Sequence, residues 1–145
     1  MIVYFDASAL VKRYIAEAAS ASVDTLIARA SVMGTGLISR AEVSAALARA
    51  ARMNWLTREA AVKAVQSFRA QSTDVIGVEI TEAVVARADT LAWDHSLRGY
   101  AAVHLACALL WQEAVGEPIT LATFDRQLWD AAQQVGLEVW PGSLE

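Results

Sequence analysis

The chain has 145 residues, 56% of them hydrophobic and 19% charged, with a formal net charge of −4 at pH 7. That length suits a single domain over residues 1–145 with a sizeable core, and the acidic balance argues against broad electrostatic binding of nucleic acid while leaving room for a local basic rim. No apolar run is long and pure enough to span a bilayer, and the first residues lead straight into a strand, so the expected location is the cytoplasm, with no membrane contact.

Taken in chain order, residues 2–6 read as a short buried strand, Ile2-Val3-Tyr4-Phe5-Asp6, that stops at a carboxylate and turns at once into a helix. Residues 7–17 and 20–31 carry apolar positions at helical spacing. Met33-Gly34-Thr35-Gly36-Leu37-Ile38 breaks that pattern and supplies a second strand. Residues 40–53 and 57–72 predict two helices, the second capped by Thr57. A short strand follows at 74–78, then helices at 81–94 and 99–114, a strand at 118–122, a helix from Asp125 to Gln134 and an edge strand at 137–140. Short strands alternating with helices predict a three-layer α/β/α sandwich around a parallel sheet of four or five strands. The high apolar fraction also points to surface buried against another chain.

In a parallel sheet, ligands bind in the crevice outside the carboxyl ends of the strands. Three acids fall in that context. Asp6 ends the first strand, Glu42 lies just past the second, and Asp125 follows the strand at 118–122. An open cluster of oxygen donors suits Mg²⁺ or Mn²⁺, which keep several waters and bind phosphates. Such an ion lowers the pKa of a bound water and offsets charge building on a phosphoryl group. Each acid also has a structural explanation. Asp6 and Asp125 are placed as helix N-caps, and Ser39 with Glu42 has the spacing of a capping box. The caps do not explain why such acids follow three separate strands.

Ser8 and Thr123 are placed to hydrogen-bond a carboxylate or an ion-bound water. Lys12, Arg13, Arg40, Arg98 and Arg126 lie close in sequence to the acids and are candidate phosphate contacts. His104 sits in the apolar helical run Ala101-Ala102-Val103-His104-Leu105-Ala106, where a hydrogen-bonded core or groove histidine is expected. The single cysteine, Cys107, excludes an internal disulfide, and its apolar run marks it as a buried thiol.

Four motifs in this order resemble a family: Tyr4-Phe5-Asp6-Ala7-Ser8-Ala9-Leu10 with Lys12 and Tyr14; Ser39-Arg40-Ala41-Glu42-Val43; Leu97-Arg98-Gly99-Tyr100-Ala101-Ala102-Val103-His104-Leu105-Ala106; and Thr123-Phe124-Asp125-Arg126. Over essentially its whole length the chain resembles the PIN-domain ribonucleases, in particular the VapC-type toxins of toxin–antitoxin pairs. The resemblance implies an endoribonuclease dependent on Mg²⁺ or Mn²⁺ held by Asp6, Glu42 and Asp125. It also implies a homodimer and silencing by a cognate VapB-type antitoxin whose C-terminal segment fills the acidic groove. One position departs from the family pattern. Where the third motif has an aspartate after its aromatic residue, this chain has Ala101, which offers neither a ligand nor a base. Deliberate replacement and natural divergence would read alike, and either leaves a PIN-like module that binds antitoxin or RNA without turnover as the alternative. A phosphorylatable, response-regulator-like α/β domain would need a strand-end lysine, whereas Lys12 and Lys63 both fall in predicted helices.

Overall fold

A computed structural model describes Met1–Leu144. Five strands form one sheet of order β3-β2-β1-β4-β5, and every neighbouring pair is parallel. The strands are β1 (Ile2–Phe5), β2 (Val32–Gly36), β3 (Ile76–Val78), β4 (Thr120–Ala122) and β5 (Glu138–Trp140). The helices are α1 (Ala7–Leu10, continued by a 3₁₀ turn at Val11–Arg13), α2 (Ser20–Arg29), α3 (Ser39–Arg52), α4 (Arg58–Gln71), α5 (Glu82–His95), α6 (Gly99–Val115) and α7 (Arg126–Gln134).

Alternation along β1 sets the layers, because successive side chains of a strand point to opposite faces. Val3 and Phe5 pack with Leu10, Leu26, Val43, Leu47 and Phe68, from α1 to α4. Tyr4 packs on the other face with Leu105, Trp111, Ile119 and Leu128, among α5, α6 and α7. The expected three-layer sandwich is therefore present with five strands. Helix α6 is apolar almost all round, as a helix covered on most sides must be; its buried residues run from Ala101 to Trp111. Trp111 lies against β2, where a side chain on Gly34 would place its Cβ 2.6 Å from the indole ring.

The elements depart from expectation in three places. The first helix does not reach residue 17; it tightens into the 3₁₀ turn and stops at Tyr14. The second strand runs Val32–Gly36, while Leu37 and Ile38 turn into α3. The capping box does not form. Ser39 is already the first helical residue, and its hydroxyl meets Thr35 Oγ1 at 2.7 Å, so Glu42 is left to bond elsewhere. Of the five tryptophans, Trp111 and Trp129 are buried, whereas Trp55 and Trp93 are exposed.

Candidate active site

The sheet order turns outward from β1 in both directions, to β2 on one side and β4 on the other. This is the switch point at which a parallel sheet opens a crevice. A groove lies there, lined by Asp6, Ser8, Glu42, Arg98, Tyr100, Ala101, His104 and Asp125. All three candidate acids, and the alanine that stands in place of a fourth, meet in this one groove.

Asp6 is the most enclosed of the three, 5% exposed. As the cap of α1 it accepts the Ala9 N–H at Oδ1, 3.1 Å away. Ser8 donates to the same oxygen at 2.7 Å and Thr123 donates to Oδ2 at 2.8 Å. Burial nevertheless pushes the Asp6 carboxyl above its ordinary range, outweighing the nearby His104 and the hydrogen bonds that favour the charged form. Asp125 caps α7, accepting the Gln127 and Leu128 N–H groups at 3.0 and 3.3 Å on Oδ1. Its Oδ2 accepts from Arg98 Nη2 at 3.2 Å. Glu42 does not cap. Its Oε1 meets His104 Nε2 at 2.7 Å, tying α3 on one face of the sheet to α6 on the other.

The two hydroxyls are placed as expected. Ser8 accepts the Phe124 N–H at 2.9 Å while bonding Asp6, and Thr123 accepts the Asp125 N–H at 3.0 Å. The five basic candidates divide. Arg98 lines the groove. Lys12 instead pairs with Glu17 and lies over the Phe124 ring. Arg13 lines a different hollow with Asp24 and Lys63, and Arg40 another with Thr35 and Ser72. Arg126 reaches Asp130 and stacks over Trp129. Proximity in sequence did not carry these four into the groove, because residues one or two positions from an acid on a helix, as Arg40 and Arg126 are, lie on a different face of it.

Two groove features were not singled out from the sequence. Tyr100 is exposed in the lining. Tyr4 is wholly buried and bonds His104 Nδ1 at 2.8 Å. The signal for Tyr4 was present: a tyrosine between Val3 and Phe5 in a central strand must find a partner for its hydroxyl.

Among the described residues, no three His, Cys, Asp or Glu side chains close into a ready-made metal cage. The groove instead offers carboxylate oxygens on an open surface. That suits a hard divalent cation, which uses one or two carboxylates and keeps its waters.

Residues 3–133 match the model of the PIN domain. This chain belongs to the PIN-domain family. Within it, the chain is 38% identical over 145 residues to Ribonuclease VapC45 and to Ribonuclease VapC49, each from a strain of Mycobacterium tuberculosis, covering 99% of this chain and 98% of each relative. It is therefore a VapC-type PIN domain. Among solved structures, the M. tuberculosis sarcin–ricin-loop-cleaving toxin VapC20 superposes with a TM-score of 0.67 at 18% identity, over 93% of this chain and 95% of that one. A toxin–antitoxin complex from Klebsiella pneumoniae superposes with a TM-score of 0.63 at 17% identity, over 85% of this PIN domain and 86% of that chain. At such identities these two likenesses bear on the fold.

Proposed function

We propose that this VapC-type PIN domain is an endoribonuclease toxin of a toxin–antitoxin pair, whose hydrolysis of RNA phosphodiester bonds depends on Mg²⁺ or Mn²⁺ in the groove and is weakened by Ala101. The observation that carries the reading is the meeting of Asp6, Glu42 and Asp125, from three separate stretches of chain, in one groove at the switch point of the sheet. Their oxygens would hold the cation. When bound, a divalent cation makes water a better nucleophile near neutral pH and offsets the negative charge of the reacting phosphate.

The protein's own groups do the rest. Ser8 and Thr123 fix both oxygens of Asp6, so that its carboxylate cannot rotate away. The cap bonds to Gln127 and Leu128 hold Asp125 in the same manner. A cation beside Asp6 would reverse the cost of charging a buried carboxylate, which suits this acid to that role. Arg98, at the rim, is free to exchange Asp125 for a substrate phosphate, since an exposed pair of this kind is worth about 0–1 kcal/mol.

The partner of such a protein is a small VapB-type antitoxin that covers the groove with a basic side chain. An arginine fits best, because its planar fork bridges two carboxylates. Exposed apolar residues on α5, Val85 and Trp93, support a further contact between two copies of the chain.

The test is cleavage of structured and unstructured RNA with Mg²⁺ or Mn²⁺ beside a chelator control, for the chain as it stands and for Asp6→Asn. Metal-dependent cleavage lost in Asp6→Asn supports the reading. A second reading, a PIN-like module that binds antitoxin or RNA without turnover, is favoured by Ala101 alone. Tight RNA or antitoxin binding without cleavage, at any metal concentration, would select it.

A further inference from the structure

We propose that Tyr4 and His104 are positioning residues that hold Glu42 in a single orientation toward the groove, through a directed chain of hydrogen bonds that begins at the backbone of Gly36. The proposal rests on the reading of Asp6, Glu42 and Asp125 as cation ligands and adds two residues to it, neither of which touches the cation.

The direction of the chain follows from donor and acceptor chemistry. A backbone N–H can only donate, so Gly36 N–H occupies a lone pair of the Tyr4 oxygen, 2.9 Å away. The phenol keeps its own hydrogen to give, and His104 Nδ1, 2.8 Å away, is the acceptor the proposal assigns to it. A ring nitrogen that accepts is unprotonated, so the ring proton of His104 sits on Nε2. That N–H points at Glu42 Oε1, 2.7 Å away. With the bonds directed this way, each link sets the next, and the imidazole Nε2–H donates to the carboxylate.

The rings that carry this chain are held in place by burial, and the one other side chain within hydrogen-bond reach of the Tyr4 hydroxyl, the Cys107 thiol, is a weak partner. Tyr4 is 0% and His104 2% exposed, so water does not compete. The Tyr4 ring stands edge-on to His104 and is also packed against Trp111. Space at the origin of the chain is equally tight. A Cβ on residue 36 would lie 2.9 Å from the Tyr4 oxygen and 3.7 Å from His104 Nδ1, so glycine alone fits there.

The consequence falls on Glu42. A glutamate on a helix has three rotatable bonds and loses much entropy when fixed. Here that loss is met during folding. Oε1 is held by His104, and among the described residues Oε2 has no hydrogen-bond partner, leaving it available in the groove. Groups behind a ligand that fix its orientation typically change metal affinity by about 10- to 100-fold. With Ala101 in place of an acid, only three carboxylates share the task, so the alignment of each counts for more.

The experiment uses the full chain and reads Mn²⁺ affinity by calorimetry and electron paramagnetic resonance, with no dependence on turnover. His104→Leu should weaken Mn²⁺ binding by about 10- to 100-fold. His104→Gln, whose amide N–H can take the place of the imidazole donor, should recover most of that loss. Tyr4→Phe should bind less tightly than the natural chain, because the imidazole loses its directing partner. Nitrogen NMR of the natural chain supplies a readout that does not depend on the folding of variants: His104 should carry its proton on Nε2. A folded His104→Leu with undiminished Mn²⁺ affinity, or a natural chain with the proton on Nδ1 alone, would overturn the positioning role. A natural chain that takes up no Mn²⁺ would overturn the cation site itself, and is told apart from the first failure because it needs no variant.

Discussion

The hydroxyl of Thr123 donates to Asp6 Oδ2 at 2.8 Å and so fastens the segment after β4 to the end of β1. Thr123 Oγ1 in turn accepts the Asp125 N–H at 3.0 Å, which makes one side chain the joint between two acids of the groove. Thr123 is 0% exposed. Thr123→Val keeps the shape and removes the hydroxyl, leaving a carboxylate oxygen and a backbone N–H without that partner. Loss of such bonds costs about 1–3 kcal/mol. Urea unfolding should show a loss of this size, Thr123→Ser should restore most of it, and metal-dependent cleavage should fall in the valine variant. Unchanged stability and cleavage in Thr123→Val would show that Ser8 and the Ala9 N–H suffice to hold Asp6.

Ala101 stands in the first turn of α6, 6% exposed and in the lining of the groove. Ala101→Asp would add a fourth carboxylate beside the other three. Carboxylates crowded together repel one another unless a cation lies between them. The variant should therefore be less stable than the Ala101 chain in chelator and should regain that difference with Mg²⁺ or Mn²⁺. Cleavage should rise by a factor on the order of ten to a thousand, the scale of a preorganised electrostatic group. A folded, metal-loaded Ala101→Asp that cleaves no faster would count against the assignment of position 101.

Most of the fold was legible because the apolar pattern is dense and unambiguous. Val3-Tyr4-Phe5, flanked by helices of period 3.6, admits few alternatives to a parallel central strand. The convergence of Asp6, Glu42 and Asp125 was legible for the same reason, since parallel strands end on one edge. What pattern could not reach was competition between partners. Ser39 and Glu42 have capping-box spacing, yet Thr35 on β2 takes the Ser39 hydroxyl and His104 on α6 takes the Glu42 carboxylate. His104 is 62 residues away and close only once the layers pack, whereas Thr35 is only four residues before Ser39 and reaches it because the chain turns from β2 into α3 there. The basic residues depend on a different uncertainty. Lys12, Arg13, Arg40 and Arg126 neighbour the acids in sequence, but their direction depends on a helix phase that a shift of one residue alters by about 100°. Only Arg98, which precedes its helix, reaches the groove.

Arg98 pairs with Asp125 while remaining 76% exposed. An exposed pair contributes little to folding, so Arg98→Ala should change stability by less than about 0.5 kcal/mol. Its effect should fall on substrate. Removing a cation that contacts phosphate should raise KM for RNA more than it lowers kcat, and should flatten the dependence of KM on salt. A variant whose KM and salt dependence match the natural chain would remove Arg98 from the substrate path.

Gly34 lies where β2 passes under Trp111. A Cβ there would meet three ring atoms at 2.6 to 2.9 Å, and the indole is itself buried. Overfilling a packed core costs about 1–3 kcal/mol. Gly34→Ala should lose stability in that range or more, and pairing it with Trp111→Phe should recover part of the loss because the smaller ring vacates the contact. Additive losses in the double variant would show that the strain lies in the backbone of β2 and not against the indole.

Cys107 is fully buried on α6, and burial pushes its thiol up to about 11 from 9.0. The folded chain thus holds the thiol proton more tightly than the unfolded chain does. Between pH 9.0 and about 11 the native state carries more protons, so stability falls as pH rises through that window and the contribution is complete below it. Cys107→Ala should flatten this part of the stability curve. The slope should not vanish, because burial also raises the Tyr4 phenol well above its ordinary value, and its ionisation acts in the same direction. A second measurement separates accessibility from charge. At pH 8 a thiol reagent should label the native chain only as fast as the chain opens, and the unfolded chain within the mixing time. Rapid labelling of native protein, or an alkaline slope identical in Cys107→Ala, would show that the thiol is neither buried nor coupled to folding.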